Sequence, residues 1–197
     1  ATMSGSQSLN YLILPDHLRA IGGNAFYKCQ YLTGSLIIPE GVTEIRRGAF
    51  HGCSGLNGTL TLPSTLKKLG NNWNDDSAVE GTDYYGGGFQ DCSNLTGNLV
   101  LPNNIELIRG YCFSGCSGFY GELRLPEKLK YMGRCAFQGC SGMTGSLSIP
   151  QGLSTIPVGA FNESGFNGTL MLHDGITNLG EASFSDCHFK GELRLPK

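Results

Sequence analysis

The apolar positions of this chain repeat one short phrase. A box of the form L-x-L-P, or a close variant, begins at Leu12 (LILP), Leu36 (LIIP), Leu60 (LTLP), Leu99 (LVLP), Leu123 (LRLP), Leu147 (LSIP), Leu170 (LMLH) and Leu193 (LRLP), with start-to-start spacings of 24, 24, 39, 24, 24, 23 and 23. Each box is followed by an apolar pair, as in Leu18 and Ile21 or Val42 and Ile45, and then by a small residue and Phe, as in Ala25-Phe26, Ala49-Phe50 and Ala136-Phe137. Three residues after that Phe stands Cys in six of seven units, with Ser164 in the remaining one. Within the box the alternation has period two, so it predicts a short strand with Leu36 and Ile38 pointing in and Ser35 and Ile37 pointing out. Proline at the next position, which holds seven of the eight prolines, ends the strand because it has no N–H for a ladder. The segment around GAFHGC is short and Gly-flanked, which predicts a 3₁₀ or α turn on the opposite side. The glycine two residues before each later box (Gly34, Gly58, Gly97, Gly121, Gly145, Gly168, Gly191) is expected to supply a positive-φ turn into the strand.

A period of 23 to 24 lies in the 20 to 29 window of leucine-rich repeats, whose units cannot bury an apolar face alone and therefore stack. The expected fold class is a leucine-rich-repeat solenoid, with a parallel β-sheet on one face, short 3₁₀/α turns on the other and little helix. A parallel β-helix is the alternative. At about 4.8 Å per rung, eight boxes give roughly 34 Å of stack.

The combined pattern L-x-G-x-L-x-L-P-x-x-L-x-x-I-G-x-x-A-F-x-G-C resembles the BspA-like class of leucine-rich repeats, over residues 9 to 197. That resemblance implies a surface or secreted protein, chiefly bacterial, and adhesion to host proteins or to other cells. Two departures stand out. The third unit is expanded by 15 residues, and later units lose Pro (His173) and Cys (Ser164).

Composition narrows the partners. Lys and Arg number 14 against 16 Asp and Glu, so the chain lacks the basic excess that phosphate neutralisation requires, and neither nucleic acid nor an anionic membrane is expected. No apolar run approaches the roughly 18 residues of a membrane-spanning helix. Glycine is frequent, 30 residues of 197, without a Gly-X-Y period, as repetition would produce. Residues 1–11 read as a linker or a cropped coil, and 12–197 as a solenoid of about 7.5 repeats with an insertion at 73–87. No signal-peptide pattern is present, which leaves the expectation of a surface or secreted location standing if such a segment is removed. The chain stops just after the Leu193 box without a polar cap, so a longer protein or a covering partner is expected.

No arrangement points to catalysis or to a cofactor. Cys29, Cys53, Cys92, Cys116, Cys140 and Cys187 occupy one slot per unit, and parallel side chains aimed into one core suit disulfides poorly. A ladder of buried free thiols packed as small hydrophobes is expected. Cys112, in the small-residue slot, should also be core, and Cys135 more exposed. The spacings Cys112-x3-Cys116 and Cys135-x4-Cys140 do not build a four-ligand zinc site. The histidines (His17, His51, His173, His188) fall in different units without H-E-x-x-H. Gly86-Gly87-Gly88 reads as a flexible hinge, and no P-loop or G-x-S-x-G is present. The sequons at Asn57, Asn94, Asn162 and Asn167 read as by-products of the repeat.

Two candidate binding surfaces remain. The outward positions of the boxes form an array in which Ile37, Thr61, Val100, Glu122, Arg124, Ser148, Met171 and Arg194 are the candidate contacts, since solenoids commonly bind through such a face. An extracellular protein is the expected partner. The insertion WNDDSAVEGTDYYGG holds the only Trp and four acidic residues. Trp73, Asp75, Asp76, Tyr84 and Tyr85 would suit a glycan platform or a calcium site, although the D-x-D-x-D-G spacing of a calcium loop is missing; a plain surface loop with Trp73 packed on the solenoid's flank is the alternative. A passive spacer in a larger surface protein is the remaining reading.

Overall fold

The computed structural model describes residues 11–71, 87–193 and 195. The chain winds as a succession of short strands and turns, named here coils 1 to 7 from the boxes at Leu12 to Leu170. In chain order the strands are β1 (Ala20–Ile21), β2 (Leu36–Ile37), β3 (Glu44–Arg46), β4 (Leu60–Thr61), β5 (Lys68–Asn71), β6 (Leu107–Ile108), β7 (Tyr131–Met132), β8 (Leu147–Ser148), β9 (Thr155–Ile156), β10 (Leu170–Met171) and β11 (Asn178–Leu179). All strand pairs are parallel. Among the described residues there is no helix.

The continuous sheet is not the one the boxes predict. It runs β1-β3-β5-β6-β7 through the second apolar pair of each unit, whereas the boxes form only two separate pairs, β2-β4 and β8-β10, joined in between by isolated bridges such as Gly97 with Phe119. Both segments alternate in and out with period two, so pattern alone does not distinguish them. What decides is the coil-to-coil rung. Thr43 N–H reaches Arg19 carbonyl at 3.0 Å, Lys67 reaches Thr43, Glu106 reaches Lys67 and Lys130 reaches Glu106, the last three at 2.9 Å.

Pro157 ends that sheet. Its counterparts Arg109, Gly133 and Gly180 donate their N–H to Leu69, Ile108 and Ile156 carbonyls at 2.9, 2.8 and 2.7 Å. Proline has no proton to offer the Met132 carbonyl. β9 therefore does not join β7, and pairs instead with β11.

On the far side, the segment expected as a 3₁₀ or α turn is a hydrogen-bonded turn that also bonds to the next coil. Phe26, Phe50, Phe89, Phe113, Phe137 and Phe161 each donate their N–H to the coil that follows, at 2.7 to 2.9 Å. Their rings stack with that of Phe184 at centroid distances of 5.2 to 5.6 Å, nearly parallel, through the centre of the molecule. The residues two before and two after each Phe take a left-handed conformation, as at Asn24 and Lys28 (both φ 55) or Gly48 and Gly52, with Gly87 the exception, and this aims successive N–H groups at the neighbouring coil rather than into a helix. Residues 72–86 leave from the end of β5, yet Phe50 N–H still meets Gly88 carbonyl at 2.7 Å, so stacking passes the insertion unbroken.

Gly87 and Gly88 correct the hinge reading. Both are buried, and a Cβ on Gly87 would collide with the backbone of Tyr111. The glycines before the boxes split in two: Gly34, Gly97, Gly121, Gly145 and Gly191 have positive φ, while Gly58 and Gly168 do not. At those two a Cβ would run into the backbone of Gly34 and Ser35, or of Gly145 and Ser146, so close approach of coils is what requires glycine there.

Candidate functional site

The box alternation places Leu36, Leu60, Leu99, Leu123 and Leu147 in the core and turns the candidate contacts outward. Ile37, Thr61, Val100, Glu122, Arg124, Ser148 and Met171 are all exposed. Ladder register sets Ile37 beside Thr61 and Ser148 beside Met171. No ladder links Thr61, Val100, Arg124 and Ser148 to one another, so the array is less regular than the sequence suggests. Arg194 lies outside the described residues, as do Trp73, Asp75, Asp76, Tyr84 and Tyr85 of the insertion.

Three outward aliphatic side chains give this face its character: Ile13 is 81% exposed, Ile37 64% and Val100 65%. Ile13 was not among the contacts taken from sequence, although it occupies the same box position in coil 1. With Leu12, Leu14 and Pro39, Ile13 and Ile37 line a groove of about 380 Å³ whose rim carries Asp16 and Glu40. Glu40 is positioned by the next coil. It accepts hydrogen bonds from Ser64 N–H and Ser64 hydroxyl, both 3.0 Å, and these bonds hold its carboxyl below the usual range. The groove thus offers an apolar floor and a charged acidic rim, which suits an apolar side chain next to a basic one.

The cysteines take no part in such a surface, and their role differs from simple packing. Cys53, Cys92, Cys116, Cys140 and Cys187 each aim S–H at the Phe carbonyl of the preceding coil, at 3.0 to 3.2 Å. That carbonyl already accepts an N–H three residues on, so the thiol fills its second lone pair. Ser164 makes the same bond to Phe137 at 2.7 Å. The slot therefore selects a small buried donor, and the Ser in place of Cys was the signal for it. Burial pushes the Cys53 thiol up to about 12 and raises Cys92, Cys116 and Cys140 as well, which makes the ladder a poor source of thiolate. Cys135, expected to be more exposed, is buried at 8%. It sits at φ 54, and its sulfur occupies the space that a side chain on Gly159 would need.

The remaining polar candidates are structural. Asn57 and Asn167 accept Gly34 and Gly145 N–H at 2.8 and 2.9 Å, and Asn94 donates to Ser54 carbonyl at 2.8 Å, each joining one coil to the one before. The His51 ring lies tilted against Tyr27 at 4.9 Å, and its Nε2 is 3.6 Å from Asp91. Among the described residues no group of three or more His, Cys, Asp or Glu is placed to hold a metal, and no helix is long and apolar enough to cross a membrane.

Comparison with known proteins agrees with this architecture. In structure the chain is similar to a T. pallidum leucine-rich repeat protein, at 23% identity and a TM-score of 0.67, over 91% of this chain and 77% of that one. A leucine-rich repeat protein from Bacteroides ovatus matches at 20% identity and a TM-score of 0.45, over 94% of this chain and 67% of that one. A leucine-rich cell surface protein from Faecalibacterium prausnitzii matches at 18% and 0.39, over 93% and 60%. No curated protein matches in sequence. A family model, the BspA type leucine rich repeat region, matches residues 2–77 and 85–197 in six copies. This solenoid, with its Phe stack and its donor slot, belongs to the BspA-type leucine-rich repeat family.

Proposed function

We propose that the chain is a non-catalytic recognition module of a cell-surface or secreted bacterial protein, and that it binds an extracellular protein, adhesin-like, through the box face. Leucine-rich repeat domains generally mediate protein–protein interaction, but fold alone does not assign a ligand. The observation that carries the reading is the exposed Ile13–Ile37 groove with Asp16 and Glu40 on its rim, continued by Val100 on the same face. Monomeric solenoids gain nothing in stability from holding such side chains in water, and a protein ligand would cover them.

The test is binding of the purified domain to immobilised extracellular matrix proteins and polysaccharides. Ile37→Glu and Val100→Glu change exposed positions and leave the core intact. Saturable binding to a protein that falls at least tenfold in these variants and survives deletion of residues 73–87 supports the reading. Binding to a glycan that vanishes with the deletion would assign recognition to the insertion and overturn it. Absence of binding to every protein overturns it too, in favour of a spacer.

A further inference from the structure

The chain carries a net charge of −2, yet the outer surface of its continuous sheet is basic. Across coils 1 to 5, the strand segments 19–23, 43–47, 67–71, 106–110 and 130–134 hold eight of the 14 Lys and Arg residues and only two acidic residues, Glu44 and Glu106. Both carboxylates have cationic partners, Glu44 with Arg46 at 3.0 Å and Glu106 with Lys130 at 2.9 Å; the second pair is exposed, so Lys130 would share its charge between Glu106 and a bound anion. In coils 6 and 7 the equivalent segments 154–158 and 177–181 hold no cation and one acid, Glu181. The basic surface therefore ends where the five-stranded sheet ends, at Pro157.

The outermost row of this surface is a set of rungs joined by backbone bonds: Arg19, Thr43, Lys67, Glu106 and Lys130 on successive coils. Cations occupy every second rung, and Arg19, Lys67 and Lys130 are all exposed. Two rungs span about 9 to 10 Å. Behind the row, the Arg109 guanidinium lies buried over the Tyr131 ring at 5.2 Å and adds to the field. The hydrogen bond and charge of Lys130 hold the Glu106 carboxyl below its ordinary range, and Lys67 and Lys128 add to that effect.

We infer that this sheet surface, distinct from the box face, is a binding site for a linear acidic polysaccharide whose charges fall on the Arg19, Lys67 and Lys130 rungs. A polysaccharide with one anionic group per disaccharide has a charge repeat of the order of two rungs. An acidic peptide bound as an extended strand presents same-face side chains every roughly 6.8 Å and drifts out of register with the row. The attraction is electrostatic, so affinity falls steeply with salt.

The probe is a hyaluronan oligosaccharide, which carries one carboxylate per disaccharide, with neutral dextran and an oligo-glutamate peptide of equal charge alongside, titrated at two salt concentrations. The expected result is saturable binding to hyaluronan, weakened at least tenfold in Arg19→Gln/Lys67→Gln and by less than threefold in Lys28→Gln/Lys190→Gln. The second pair removes the same number of exposed charges elsewhere. An unchanged thermal melt shows that the first double variant folds, and Arg19→Gln, Lys67→Gln and Lys130→Gln alone should give intermediate losses. No binding by the wild-type domain overturns the inference, as does an equal loss in the two double variants. Equal or tighter binding of oligo-glutamate assigns the surface to an acidic protein segment instead. Since Ile37 and Val100 lie on the box face, their variants leave this binding unchanged, so each reading fails or stands separately.

Discussion

Coils 1 to 5 and coils 6 to 7 are built from the same repeat and differ in what joins them. In the first region two systems run in parallel, the five-stranded sheet and the Phe stack. Between coils 5 and 6 the sheet is interrupted at Pro157, whereas Phe137 and Phe161 still stack at 5.5 Å and Phe137 N–H still reaches Ala160 carbonyl at 2.8 Å. The turn side thus carries the solenoid across a break in its sheet, together with the Gly121–Met143 bridge ahead of the boxes. The box face, with only two short strand pairs, contributes least continuity and is the freest to vary in its outward side chains.

The hardest way to break the molecule is then through the stack. Phe113, fully buried between Phe89 and Phe137, should lose about 3–5 kcal/mol on substitution by Ala, measured by urea unfolding. Exposed Ile37→Ala on the box face should change little in the same assay. The donor slot gives a smaller and more pointed comparison. Cys116→Ala leaves the Phe89 carbonyl with one bond fewer and should cost about 1–3 kcal/mol, while Cys116→Ser keeps a donor, as Ser164 does, and should cost less. Equal losses in the two variants would return the slot to simple packing.

Pro157→Ala tests the break itself. It creates an N–H opposite the Met132 carbonyl, and hydrogen exchange at this new amide should be as slow as at Gly133. The net change in stability should stay within about 1 kcal/mol, because the unfolded chain regains freedom that proline denied it. The smallest effect expected is on His51. Burial holds its imidazole below the ordinary pKa, opposed by Asp91 and assisted by Lys28. The unfolded chain accordingly binds a proton first, so stability is full above about pH 6.5 and declines as pH falls below it toward the folded-state value. Melting temperatures from pH 8 to pH 5 should show that decline, and His51→Gln should flatten it.

Much of this was legible from spacing. Leu36, Leu60, Phe50 and Cys53 fall in the core as their repeat positions require, and Ile37 and Val100 point out. The site was legible in part: the outward row of the boxes is exposed, and its extension to Ile13 follows from the same box position, but the grouping of Asp16 and Glu40 with Ile13 and Ile37 required neighbouring coils to be placed side by side. The basic sheet surface was hidden for a related reason. Its cations come one or two per coil from five separated segments, and a balanced total charge conceals them until stacking brings those segments side by side in one sheet.

Sequence alone determined the period, the stacking, the buried side of the boxes from Leu36 to Leu147 and the family, because a side chain's burial depends on alternation along its own strand. Tertiary structure decided which of two equally alternating segments forms the continuous sheet, where Pro157 interrupts it, and what the Cys slot is for. Those depend on which N–H meets which C=O across a gap of one coil, a relation between residues some 24 positions apart that no local pattern encodes.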